Sequence, residues 1–170
     1  MEYLQPSHLS LSSPHPIWTS LDGNPYQARA ARIQALLLSG RYRTERLCRF
    51  WSSNKDGFCL LSPCNNSQLF EDIEHFIVRC TALTEVRRRL IRFTEDYVKE
   101  KPVLKQLCDA YLHPANPALY IQFLLDCSVL PLVISAVQLH GQDVHFHLYK
   151  ISRTWCRSLH VARMKLLRRS

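Results

Sequence analysis

Apolar residues recur at intervals of three and four along several stretches of the chain, which is the spacing of one face of an α-helix. The clearest stretches carry Ala28, Ala31, Ala35 and Leu38, then Val86, Leu90, Phe93 and Tyr97, and last Trp155, Leu159, Ala162 and Leu166. Gly40 predicts the end of the first helix and Thr84 the N-cap of the second. With only 4 glycines in 170 residues, the pattern predicts a mainly α protein.

The most apolar segment, residues 118–139, has the length of a membrane span. Asp126 and Pro131 interrupt it, and it contains no unbroken run of the roughly 18 apolar residues that a spanning helix requires. We therefore expect two short buried helices that meet near Pro131, and no membrane partner.

Proline and serine set the first residues apart from the rest. Residues 1–26 include Pro6, Pro14, Pro16 and Pro25, and this composition predicts a flexible, extended leader. The remainder, residues 27–170, is predicted to form one helical domain. Residues 1–18 lack the basic and apolar regions of a signal peptide. We therefore expect a nuclear or cytoplasmic protein.

The sharpest chemical signal is a cluster spaced Cys-x4-Cys-x10-His-x4-Cys, formed by Cys59, Cys64, His75 and Cys80. In a chain whose thiols are expected to be reduced, such a cluster points to a metal before disulfides. Three thiolates and one imidazole suit the tetrahedral coordination of zinc, with every position filled by protein. The sequence predicts a structural zinc site in residues 57–82, a zinc-knuckle-like loop inserted between helices.

One alternative stays open at this point, because free cysteines are also common in apolar cores. His75 and Cys80 are five residues apart, so on a continuous α-helix they would point about 140° away from each other. Both can reach one ion only if the helix ends or distorts before Cys80. The other cysteines are scattered, and we expect core or half-buried thiols at Cys48, Cys108, Cys127 and Cys156.

The net charge is +8, from 22 Lys and Arg against 14 Asp and Glu, which favours polyanionic partners such as nucleic acid. The predicted phosphate contacts are Arg41, Arg43, Arg46, Arg49, Arg87 and Arg88. Trp51 is predicted either to stack on a base or to belong to the core. Residues 150–170 carry seven basic residues and no acidic one, more than a helix dipole requires.

Several runs of the sequence resemble the region just downstream of the polymerase in non-LTR (LINE-type) retrotransposons. These runs are residues 41–45 (RYRTE), 57–61 (GFCLL), 71–80 (EDIEHFIVRC), 123–131 (FLLDCSVLP) and 153–160 (RTWCRSLH). The resemblance implies that the cluster is a zinc knuckle which helps to hold template RNA or target DNA during target-primed reverse transcription. The gaps of four and ten are wider than the family's commoner ones, whereas His-x4-Cys agrees with it.

The chain carries no sequence motif of an enzyme. It has no Asp-Asp pair of a polymerase, no Gly-rich phosphate loop, no Gly-x-Ser-x-Gly and no His-Glu-x-x-His. We therefore expect a non-catalytic zinc module that binds RNA or DNA, single-stranded or structured, without a small-molecule substrate. The alternative is a structural or protein-interaction helical remnant of a transposon fragment that does not bind nucleic acid.

Overall fold

A computed structural model of the protein describes residues 14–50, 56–62 and 64–169. The α-helices are α1 (Pro16–Thr19), α2 (Pro25–Leu38), α3 (Glu45–Arg49), α4 (Thr84–Val98), α5 (Pro102–Tyr111), α6 (Pro117–Leu125), α7 (Pro131–His140) and α8 (Asp143–Leu167). Between α3 and α4 the chain forms short 3₁₀ turns and one π-helix instead. The fold is mainly α, as the sequence pattern predicts.

The long helix α8 lies at the centre of the packing. It contacts α2, α4, α6 and α7, and Trp155 and Leu159 are fully buried on its inner face. The indole of Trp155 donates a hydrogen bond to the Thr94 hydroxyl of α4 (2.9 Å), which satisfies the polar atom of this large core side chain. The apolar stripe of α8 thereby joins the two halves of the chain.

The apolar segment forms the two short helices that its interruptions predict. The side chain of Asn116 caps α6 by accepting a hydrogen bond from the Leu119 amide (3.3 Å), and Asp126 ends that helix. Pro131 then takes the first position of α7, where a missing N–H costs nothing. In the parts of the chain that the structure describes, no helix is both long enough and apolar enough to cross a membrane.

Two helix boundaries differ from the sequence-based expectation. Helix α5 is not predicted by the apolar spacing. A proline usually indicates the end of a helix, but Pro102 occupies the first position of α5, which proline tolerates. Thr84 does not cap α4, because a 3₁₀ turn at Thr81–Leu83 leads directly into the helix. Its hydroxyl accepts a hydrogen bond from Arg87 instead (3.2 Å).

The predicted flexible leader, residues 1–26, needs correction where the structure describes it. Residues 14–26 contain α1 and the start of α2, and Ile17 is buried. The guanidinium of Arg153 in α8 is buried and donates to the hydroxyl (2.7 Å) and the carbonyl (2.9 Å) of Ser20. The prolines that suggest an extended segment begin the two helices, which proline tolerates. Residues 1–13 lie outside the described residues.

A buried carboxylate fixes this N-terminal segment to the core. Asp126 is fully buried and accepts hydrogen bonds from the hydroxyls of Tyr149 (2.8 Å) and Ser128 (2.5 Å). His15 accepts the Ile17 amide at Nδ1 (3.2 Å), so its Nε2 carries the proton and donates to Asp126 (3.2 Å). With the Ser128 amide, which also donates to Asp126 (3.2 Å), four donors compensate the buried charge.

Candidate metal centre

The four residues of the predicted zinc cluster converge in the structure. One ligand atom from each of Cys59, Cys64, His75 and Cys80 lies within 4.8 Å of every other, and all four residues are buried. The chain can therefore hold a metal ion at this point. Cys48 is half-buried, whereas Cys108, Cys127 and Cys156 are buried elsewhere in the core, as the sequence predicts.

The geometry fits zinc. Two sulfurs that each lie about 2.3 Å from one tetrahedral ion are about 3.8 Å apart, and the Sγ atoms of Cys64 and Cys80 are 3.7 Å apart. The largest separation, 4.8 Å, requires a contraction of about 1 Å to reach the same geometry. The donor set of three thiols and one imidazole leaves no position open for a substrate, which is typical of a structural site.

An unsatisfied ring nitrogen gives independent support. Nε2 of His75 is buried and has no hydrogen-bond partner among the described residues. A buried imidazole nitrogen without a partner is costly, and a metal ion removes that cost. Asp72 fixes the backbone of His75, because its Oδ1 accepts the His75 amide hydrogen bond (2.7 Å).

A π-helix solves the spacing problem of His75 and Cys80. Residues His75–Arg79 form this π-helix, and the Cys80 amide donates to the His75 carbonyl five residues earlier (2.6 Å). The wider turn brings residues five apart to nearly the same side of the helix. Cys80 then leaves the helical conformation, with ψ at 112°. The helix therefore distorts before Cys80, as the ligand spacing requires.

An isolated antiparallel β-bridge between Phe58 and Phe70 positions Cys59. The Cys59 amide donates to the Leu69 carbonyl (2.8 Å), and the Glu71 amide donates to the Gly57 carbonyl (3.0 Å). Gly57 has a φ of +87°, and a Cβ there would lie 3.3 Å from the Cα of Arg46. Only glycine combines this backbone conformation with such a close approach. Gly57 therefore lets α3 lie directly against residues 57–82, which we call the metal segment.

The thiols of the centre are already polarised. The pKa of Cys59 is lowered, chiefly by a hydrogen bond from the Cys80 thiol, while burial acts against this shift. The same hydrogen bond raises the pKa of Cys80, which retains the proton. For Cys64, burial opposes ionisation, but hydrogen bonds from the hydroxyl and amide of Thr81 and the amide of Ala82 lower its pKa. The pocket thus favours negative charge, which a cation requires.

Arg87 lies next to the centre rather than on the outer face of α4. Its Nη2 donates to the Cys80 carbonyl (2.5 Å), and its Nη1 is buried without a hydrogen-bond partner among the described residues. Burial lowers its pKa, and the attraction of Cys80 partly offsets that shift. We predicted that Arg87 contacts phosphate, but the structure directs its guanidinium towards the metal ligands. Its position seven residues after Cys80 was the available signal.

A buried ion pair connects the metal segment to α8. Glu71 accepts two hydrogen bonds from the guanidinium of Arg163, at 2.7 and 2.6 Å, and a third from the Glu45 amide (2.7 Å). The sequence pattern does not identify this ion pair. Arg163 lies four residues after the buried Leu159, so its helical spacing already places it on the inner face of α8.

The remaining predicted nucleic-acid residues lie on the surface. Arg41, Arg43, Arg46 and Arg49 are all exposed. Arg46 forms an exposed ion pair with Asp72 (3.1 Å). Arg88 is exposed as well and pairs with Glu85 of its own helix. Trp51 lies outside the described residues.

Comparison of the chain with models of known families, with curated proteins and with solved structures gives no match in any of the three. The interpretation of this site therefore depends on its own geometry and chemistry.

Proposed function

We propose that the protein is a non-catalytic zinc module in which Cys59, Cys64, His75 and Cys80 hold one zinc ion. The observation that carries this proposal is the convergence of four buried ligand atoms within 4.8 Å of one another. Since all four positions are filled by protein, the ion stabilises the fold and performs no chemistry.

Metal content tests this proposal directly. We expect one zinc per chain by elemental analysis of protein purified without added metal. Cobalt substitution should give the intense absorption of tetrahedral thiolate coordination, and His75→Ala should weaken it. A chain that retains no metal and gives only an octahedral cobalt spectrum would contradict the zinc site.

We infer that this module binds RNA or single-stranded DNA through residues 41–49, which we call the arginine segment. Two contacts fix the segment to the metal segment: the Glu45 amide donates to the Glu71 carboxylate (2.7 Å) and the Arg46 amide to the Glu71 carbonyl (3.3 Å). Its four arginines are exposed, and among the described residues Arg41 and Arg43 form no ion pair. Phe50, directly after them, is 76% exposed and can stack on a base.

The test is a pair of substitutions with a charge-matched control. Arg41→Gln with Arg43→Gln should weaken binding to unrelated RNA and DNA single strands about equally, because phosphate contacts carry no sequence information. It should also lower the slope of log affinity against log salt by about 0.7 for each lost contact. Arg89→Gln with Arg92→Gln removes the same charge from α4 and should change the slope little, since Arg89 pairs with Glu85 and Arg92 is followed by Glu95 and Asp96.

The resemblance to the region downstream of retrotransposon polymerases supports the same function and a nuclear or cytoplasmic location. In that interpretation the chain derives from the part of such a protein that follows the reverse transcriptase.

The second candidate is a protein-interaction module. It is favoured by α7, where Leu132 and Leu139 are exposed on the same face, seven residues apart, because exposed apolar patches mark contact surfaces. Salt dependence separates the two candidates, since an apolar contact on α7 responds weakly to salt whereas phosphate binding weakens steeply.

A further inference from the structure

The last turns of α8 present a continuous basic surface. His160, Met164 and Arg168 form one row at intervals of four, and Val161, Lys165 and Arg169 form the row beside it. Together these six residues line an open groove of about 620 Å³. None of the described residues that line it is acidic. We call this surface the α8 basic face.

The α8 basic face adjoins the arginine segment. The hydroxyl of Tyr42 and Nδ1 of His160 are 2.9 Å apart, and their rings meet edge to face with centroids 5.7 Å apart. Tyr42 lies between Arg41 and Arg43 in the sequence and is itself buried. Because neighbouring side chains of an extended segment project to different sides, burial of Tyr42 leaves both arginines at the surface beside α8.

A buried ion pair fixes the position of the α8 basic face relative to the arginine segment. Arg163, on the inner side of α8, binds Glu71 and lies 3.7 Å from Glu45 of α3. The position of the α8 basic face relative to the arginine segment is therefore fixed by a low-exposure ion pair rather than by surface contacts. Such a rigid arrangement favours binding, since association then costs little conformational entropy in ordering side chains or helices.

Helix α4 does not offer a comparable surface. Glu85 pairs with both Arg88 and Arg89, and Arg87 donates to the Cys80 carbonyl. Arg92 of the same helix is exposed, but Glu95 and Asp96 follow it in the sequence. The local field along α4 is therefore mixed in sign, whereas that of the α8 basic face is positive throughout.

We propose that the nucleic-acid surface runs from Arg41 and Arg43 onto the α8 basic face, and that its ligand is a single strand of RNA. This inference depends on the proposed function and specifies its surface. Lys165, Arg168 and Arg169 contact successive phosphates, and the exposed side chain of Val161, one turn before Lys165 in the same row, lies against a base or ribose. A single strand supplies both kinds of contact, because its bases are not hidden in a duplex.

The competing explanation is that these cations only complement the dipole at the C-terminus of α8. That explanation predicts a change in the stability of the helix end and none in ligand binding. The triple variant Lys165→Gln, Arg168→Gln and Arg169→Gln distinguishes the two. Arg89→Gln, Arg92→Gln and Lys99→Gln form the matched control, since two exposed arginines and one exposed lysine are likewise neutralised along α4 and its C-cap.

The experiment measures binding of the full chain, loaded with zinc, to a fluorescent oligouridine across a range of salt concentrations. If the three contacts form, the α8 variant should lower the salt slope by about 2 and the affinity at 0.1 M salt on the order of 100-fold, at about 0.7 log units a contact. The α4 control should lie close to the unsubstituted chain. Circular dichroism of each variant checks that α8 is still folded.

Each result decides between the possibilities. Unchanged binding of the α8 variant, together with weaker binding of the Arg41→Gln, Arg43→Gln chain, would overturn this inference and leave the proposed function intact. An equal loss in the α4 control would also overturn it, since charge alone would then explain binding. If the unsubstituted chain binds neither oligouridine nor oligothymidine at low salt, the proposed binding of nucleic acid and this inference are both wrong, whereas the proposed zinc site is tested separately. Binding of phosphatidylserine vesicles that the α8 variant loses, with oligouridine binding retained, would identify a membrane surface instead.

Discussion

The four ligands of the metal segment, residues 57–82, and the inner faces of α6, α7 and α8 are both buried, but different forces hold them. The core packs apolar side chains of regular helices, among them Phe123, Leu124 and Trp155. The described part of the metal segment contains short 3₁₀ turns, one π-helix and an isolated β-bridge, and its centre consists of three thiols and an imidazole. Regular packing stabilises the core, whereas we expect the metal segment to depend on a bound ion.

This difference explains why the metal segment tolerates irregular backbone. A π-helix has poorer hydrogen-bond geometry than an α-helix and is rare, so it persists only where other interactions fix it. Here the requirement that His75 and Cys80 meet at one point provides that constraint, together with the Asp72 contact to the His75 amide. The comparison leads to four predictions, ordered by the size of the expected effect.

Metal removal should affect the two regions unequally. Structural zinc contributes on the order of 10 kcal/mol, comparable with the whole stability of an ordinary domain. We expect chelation, or Cys64→Ser, to abolish hydrogen-exchange protection in residues 57–82 while α6 and α8 stay protected by their own apolar core. Cys156→Ser is the control, because a serine hydroxyl can keep the bond that this thiol donates to the Leu124 carbonyl. Loss of protection throughout α8 on chelation would show that the core is not independent.

The link between the regions should be the next most sensitive position. Glu71→Gln removes a buried charge that Arg163 faces at 2.6 Å, and loss of one partner from a buried ion pair costs about 3–5 kcal/mol. Glu85→Gln is the control, since exposed pairs contribute only about 0–1 kcal/mol. Urea unfolding of both variants measures the difference. Equal, small losses would mean that the two regions are held together by apolar contacts alone.

Periodicity and ligand chemistry made most of these features predictable from the sequence. The helices around α2, α4, α6, α7 and α8 and the four metal ligands all follow from spacing. What remained hidden depends on contacts distant in sequence: Arg153 and Arg163 look like surface cations until their partners Ser20 and Glu71 are placed beside them. The prediction of a flexible leader was wrong over residues 14–26 for the same reason, because the helices there are stabilised by contacts with α8 and not by local propensity.

As the pH is lowered, we expect the metal segment to lose its ion before the core loses the stability that Asp126 contributes. The pKa of Asp126 is lowered from 3.8 to about 2; burial opposes this shift, and the hydrogen bonds from His15 and Ser128 outweigh it. A lowered carboxyl pKa contributes stability that is fully present above the unfolded value and is lost as the pH falls from about 4 towards 2. At about 1.4 kcal/mol for each pKa unit, the contribution is roughly 2–3 kcal/mol.

The zinc ligands must be deprotonated to bind metal, so we expect zinc release at a higher pH than the loss of the Asp126 contribution. Unfolding free energies of the unsubstituted chain and of Asp126→Asn, measured as the pH is lowered, should differ near pH 5 and converge near pH 2. Asp109→Asn, which alters an exposed ion pair with Lys105, should leave the curve nearly unchanged. A difference that persists at pH 2 would mean that Asp126 acts through packing rather than charge.

The smallest expected effect concerns Arg87, which lies next to the buried ligands and can compensate the charge of the metal centre. Three thiolates and one Zn²⁺ carry a net charge of −1 in a site where all four ligands are buried, and such a charge needs a nearby cation. Arg87 meets this need through its hydrogen bond to the Cys80 carbonyl (2.5 Å). We expect Arg87→Met to weaken zinc binding about 10–100-fold, the usual effect of losing a residue that supports metal ligands. At about 1.4 kcal/mol for each tenfold change in affinity, this corresponds to about 1.4–2.7 kcal/mol of zinc-binding free energy. That loss is smaller than the loss of folding free energy expected for Glu71→Gln.

Competition with a chromogenic chelator measures that affinity, and the cobalt spectrum shows whether the ligand set is unchanged. Arg88→Met is the matched control, since it removes the same charge one residue along on an exposed side chain. Arg87→Lys should fall between the two, because an ammonium keeps the charge but lacks the planar group whose Nη2 donates to both the Cys80 carbonyl and the Thr84 hydroxyl. If Arg87→Met and Arg88→Met weaken zinc equally, the effect is long-range charge. If neither weakens it, the guanidinium has no part in the metal centre, and the ion alone holds the segment together.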